Sequence, residues 1–164
     1  MKLGHANALE RLIKAESMAE EEALRSVFEQ GGYSLFSELL NELKSKLTVC
    51  DESQMEELKR WITKGKRIVP RPESISPAWD GAWSRIERQI ELKEYVLNRI
   101  PQVNREGEWQ VVMDNPFTND GIVCYPGLSF IEAAYLYAYF RADLKKTEYI
   151  RLQKVVSLII THGP

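Results

Sequence analysis

Apolar residues recur at helical spacing through most of the first hundred positions. Leu9, Leu12 and Ile13, then Leu24, Val27 and Phe28, bridged by Ala15, Ala19 and Ala23, predict one helix. Glu20, Glu21 and Glu22 give it a wide solvated face, and Gly31-Gly32 is expected to stop it, since glycine accepts positive φ. A second helix is predicted from Ser34, with Phe36, Leu39, Leu40, Leu43 and Leu47 as its stripe. Asp51 is a good N-cap for a third, carrying Met55, Leu58, Trp61 and Ile62 and closed by Gly65.

Pro70, Pro72 and Pro77 interrupt the helical pattern, because proline lacks an amide donor and pushes its predecessor into extended backbone. Ser76-Pro77 opens a fourth helix. Trp79, Trp83, Ile86, Ile90 and Leu97 run down one side of it, and Arg85, Glu87, Arg88, Glu91, Lys93 and Glu94 line the other. Pro101 ends it. The period then changes: Trp109, Val111 and Met113 alternate with Gln110 and Val112, and Ile122 to Tyr125 form a second β-rich run. A hairpin of two strands is marginal alone and must rest on helices or on another chain. Ser129 with Glu132 forms a capping box for a fifth helix, and a sixth is read from Thr147 through Leu152, Val155, Val156 and Ile159.

The fold class predicted is therefore mainly α, α+β at the margin, with about six helices and one small antiparallel hairpin near residues 108–125. The 164 residues are expected to form one domain. Its parts are a helical segment 1–66, a proline-rich connector 67–77 and a helix–hairpin–helix segment 78–164. A chain this long buries roughly 70% of its unfolded surface, enough for a core without staples.

Charge changes the picture at one place. Lys59, Arg60, Lys64, Lys66, Arg67 and Arg71 fall within thirteen residues that hold no carboxylate, in a chain of net charge −2. Such a tract can steer a polyanion, with Trp61 as a stacking face for an unpaired base. It can equally complement the dipole of the third helix and the acidic first helix. The overall acidic balance favours this second reading over nucleic-acid binding. Carboxylates at Glu52, Glu56 and Glu57 would also repel phosphate from a helix-turn-helix built on helices two and three.

Catalytic chemistry leaves little trace. Asp114, Asn115, Thr118, Asn119 and Asp120 cluster in the predicted hairpin loop. They could hold a hard cation or polarise a water, as in a hydrolase or metal-dependent enzyme. The same residue types are what a turn requires for backbone reasons. Cys50 and Cys124 fit no zinc or redox spacing and are read as small packed hydrophobes, while His5 and His162 lie near the termini. No nucleotide, metal or cofactor motif is present, so no catalytic residue, metal or cofactor is assigned.

The fifth helix carries the remaining signal. Phe130, Tyr135, Tyr137, Tyr139 and Phe140 surround most of its circumference, so it is expected to be covered on several sides, by the fold or by a second copy. Tyrosine favours interfaces because one end is apolar and the other polar. The chain accordingly reads as a small bacterial-type regulatory or adaptor protein without catalysis. It is expected to dimerise or bind another protein through Tyr135, Tyr137, Tyr139 and Phe140. With two cysteines, no apolar run long enough for a membrane span and no signal-peptide pattern, a cytoplasmic location is expected.

Overall fold

The computed structural model describes residues 7–70, 76–115 and 122–156. Among these described residues are five α-helices and a three-stranded antiparallel sheet, and the chain divides into two compact units, residues 1–91 and 92–164, with the division inside one helix.

In the first unit, α1 (Ala8–Lys14) is capped by Asn7, whose side chain accepts from the Glu10 amide. The predicted single first helix is thus broken. Its second half belongs to α2 (Met18–Val49), which starts afresh at Ser17, a side-chain N-cap bonded to the Glu20 amide. The glycine pair interrupts this long element as predicted, so that α2 is two helices meeting at a kink. Gly32 alone leaves helical geometry (φ 58°, ψ −145°), and the chain then resumes the helix predicted from Ser34.

Helix α3 (Glu52–Ile68) begins as expected at Asp51, in a full capping box with Gln54. It does not stop at Gly65, which is buried in its last turn. A side chain there would collide with Trp83: a β-carbon placed on Gly65 would lie 2.8 Å from the indole ring. Gly65 is a notch for an aromatic ring.

Trp79 and Trp83 lie on α4 (Ser76–Arg99) and meet Phe36 of α2, with ring centroids 5.7–6.2 Å apart. Leu12, Leu39, Leu43, Leu47, Met55, Leu58 and Ile86, all essentially inaccessible, complete this core. The apolar face of α4 is as predicted. Its polar face departs from the prediction at Lys93, which is fully buried, as is Gln89. Helical phase explains this: Lys93 lies one turn after Gln89 and between Ile90 and Leu97, within the buried arc.

The second unit opens with a 3-10 turn at Gln102–Asn104 after Pro101. Arg105 then folds back on the end of α4. Its Nε donates to the Ile100 carbonyl at 2.8 Å and its Nη2 to the Leu97 carbonyl, where a helix exposes unpaired acceptors and a negative dipole end. The guanidinium also lies 4.8 Å from the centre of the Phe130 ring.

The predicted hairpin is present as β1 (Trp109–Asp114) and β2 (Val123–Leu128). A third strand, β3 (Tyr149–Lys154), stands where the sixth helix was expected and pairs with the other side of β1. Ile150 and Leu152 alternate with Tyr149, Arg151 and Gln153, a period of two that competes with the helical spacing through Val155 and Val156 and prevails once β1 is beside it. Strand order is β2-β1-β3. Helix α5 (Phe130–Ala142), capped by Ser129 and Glu132 as expected, packs on the sheet. Trp109 meets Phe130, and Tyr125 stacks on Phe140, each pair with centroids 5.0 Å apart.

Candidate functional site

The described part of the basic tract, Lys59 to Arg67, lies along α3, and Lys59, Lys66 and Arg67 pair with the protein's own carboxylates. Arg67 forms a two-pronged pair with Glu21 of α2, at 2.7 and 2.8 Å, while Arg25 donates to the Arg67 carbonyl at 3.1 Å. That hydrogen-bonded pairing holds the Glu21 carboxyl below the usual glutamate range and raises the Arg67 guanidinium further. Lys66 reaches Glu87 of α4 at 2.7 Å, and Lys59 pairs with Glu56 one turn earlier at 3.2 Å. The Lys64 ammonium lies 3.5 Å from the carbonyl of Ile13, near the C-terminus of α1. Arg60 is exposed on α3, and Arg71 lies outside the described residues.

Charge is thus used here to join α2 and α4 to α3. A cleft of about 540 Å³ runs along α3 and α4, with Ile62 and Ile90 in its lining and Lys59, Lys66, Glu87 and Glu91 among its polar groups. Cations stand on the α3 side and carboxylates on the α4 side, so no single sign of charge dominates it. A phosphate entering it would have to displace Glu87 from Lys66.

One carboxylate in this unit shifts the other way. Glu42 of α2 accepts the Leu9 amide at 2.6 Å, tying the first turn of α1 to α2. Burial pushes its carboxyl above the usual range, outweighing that hydrogen bond, and neighbouring Glu38 adds to the rise.

Of the loop candidates, only Asp114 and Asn115 lie within the described residues; Thr118, Asn119 and Asp120 do not. Asp114 ends β1 opposite Tyr149, and the Asn115 side chain donates to Thr147 at 3.3 Å, a link between the end of β1 and the approach to β3. Among the described residues, no three His, Cys, Asp or Glu side chains are grouped to hold a metal ion. His5 and His162 are also outside the described residues. Cys50 is buried as expected, but Cys124 is exposed, because it lies on the edge strand β2, which is largely exposed on both faces. Its sulfur is 3.7 Å from the Gln110 side-chain oxygen.

Three of the four aromatic candidates, Tyr135, Tyr139 and Phe140, are brought together, while Tyr137 falls on the arc of α5 that carries Ala133 and Ala134. Ala133, Ala134 and Ala138 are fully buried, whereas Tyr135, Leu136, Tyr137 and Phe140 are half-buried and Tyr139 is 36% exposed. Tyr139 touches both Tyr135 and Phe140, with centroids 6.1 and 5.2 Å apart. Among the described residues, coverage all round α5 is therefore not complete. The phase of the helix explains why: alanines take the sheet side, and Tyr135, Leu136 and Tyr139 fall on the opposite arc with Glu132.

Among the described residues, no helix is long and apolar enough to cross a membrane. Compared with known proteins, the chain matches no family model, no curated protein and no solved structure.

Proposed function

We propose that this chain is a non-catalytic adaptor or regulatory protein that works through protein–protein contacts and associates with itself through the outward arc of α5. The observation that carries this reading is Tyr139. It is exposed beside half-buried Tyr135, Leu136 and Phe140, on a helix whose only charged side chains are Glu132 and Arg141. A surface helix normally presents charge to water, and an apolar, tyrosine-bearing arc gains by being covered. Tyrosine suits such an interface because its hydroxyl stays hydrated at the rim while the ring is buried.

The pairing of Lys66 and Arg67 with Glu87 and Glu21 supports protein contact over the nucleic-acid alternative, since those cations already have partners. Light scattering on Leu136→Arg tests the proposal. A cation in the middle of the arc should halve the mass of the wild-type particle without lowering its melting temperature. An unchanged mass would count against α5 as the contact.

A further inference from the structure

The two edges of the sheet are not equivalent. The Val155 amide donates to the Glu108 carbonyl at 2.9 Å, and the register runs from there without a slip through Trp109↔Lys154 to Asp114↔Tyr149. In an antiparallel ladder, hydrogen-bonded pairs alternate, so Tyr149, Arg151 and Gln153 bond inward to β1. The amides and carbonyls of Ile150, Leu152 and Lys154 then point away from the sheet. None of the three is proline or glycine, and the strand has no bulge. By the same alternation, Trp109, Val111 and Met113 bond to β2, and Cys124 and Pro126 face outward on the far edge. Pro126 has no amide to offer, Gly127 adopts φ 71°, and the register slips between Trp109 and Val111. A proline and a bulge are how sheets close an edge to pairing. Among the described residues, edge β2 is closed and edge β3 has no strand beside it.

We infer that the open edge of β3 accepts an extended, acidic segment of a partner protein as a fourth strand. Main-chain bonds to Ile150, Leu152 and Lys154 would hold the segment. Its sign follows from the edge: between Lys145 and Val156 the chain carries Lys145, Lys146, Arg151 and Lys154 against Glu148 alone, although the protein as a whole is acidic. Arg151 is exposed on the sheet face away from α5 and reads alternate side chains of the incoming strand. A second copy of β3 would set these cations against their own kind, which opposes self-pairing at this edge. The inference shares with the proposed function only the idea of protein contact. It uses a different surface from α5, so each can fail alone.

The test uses the full chain and a fluorescent ten-residue peptide of alternating Glu and Val, with alternating Lys and Val as control. Anisotropy should show binding of the acidic peptide only, weakened by salt and reduced about tenfold or more by Arg151→Glu with Lys146→Glu at unchanged melting temperature. Amide exchange followed by NMR should slow on peptide addition at Ile150, Leu152 and Lys154, while Arg151 and Gln153 are protected from the start. Equal binding of both peptides, no binding of the acidic one, or unchanged exchange at those three amides overturns the inference. So would protection of the three amides that rises with protein concentration in the absence of peptide, which would place a second copy on the edge.

Discussion

Gly65 of α3 and Trp83 of α4 are packed so closely that the glycine's missing side chain is the space the indole occupies. Gly65→Ala should therefore destabilise the protein, by up to about 2 kcal/mol. The overpacking cost of about 1–3 kcal/mol outweighs the roughly 1 kcal/mol that alanine gains over glycine in a helix. Gly81 provides the control. It is helical and exposed, with nothing within 4 Å of the place a β-carbon would take, so Gly81→Ala should stabilise by about 0.5–1 kcal/mol. Urea unfolding of both variants measures the difference, and the two signs should be opposite.

Acid titration should reveal two carboxylates of opposite character. Glu21 has its folded pKa lowered by Arg67, so its contribution is complete above the ordinary glutamate range and is lost as pH falls from there through the lowered folded value. Glu42 has its folded pKa raised by burial, so the fold gains by keeping it protonated, and that gain disappears as pH rises through the elevated value. Thermal melts across the acid range should show Glu21→Gln flattening the loss toward low pH. Glu42→Gln should flatten the loss on the way up toward neutrality.

Arg105 stands where α4 would otherwise leave carbonyls unpaired. Arg105→Ala should cost about 2–3 kcal/mol, since two charge-assisted hydrogen bonds and the contact with Phe130 are lost together. Arg105→Lys keeps the charge but lacks the planar fork that reaches both Leu97 and Ile100. It should remain destabilised by about 1 kcal/mol. Denaturant midpoints on the two variants give the comparison.

Much of this architecture is legible in local chemistry. Asp51 announces α3 as an N-cap, Ser129 with Glu132 announces α5 as a capping box, and Trp79, Trp83, Ile86 and Ile90 mark the buried side of α4 by spacing alone. What could not be read is set by distant residues. Whether Gly65 ends a helix or seats a ring depends on Trp83, eighteen positions later. Lys93 reads as a solvated charge until the width of the buried arc on α4 is known. Strand β3 escapes a reading by periodicity because Leu152, Val155 and Val156 fit a helical stripe as well as a strand, and pairing with β1 decides between them. The basic tract stands out at once, but its partners Glu21 and Glu87 are 46 and 21 positions from Arg67 and Lys66 and carry no local mark.

Self-association through α5 is the claim on which the functional account turns, and sedimentation equilibrium of the full chain beside its Tyr139→Glu variant tests it most directly. The wild type should give twice the monomer mass at micromolar concentration, and the variant the monomer mass at the same melting temperature, because a carboxylate among Tyr135, Leu136 and Phe140 cannot be buried unpaired. A wild-type chain that sediments as a monomer, or a variant that stays dimeric, would contradict it.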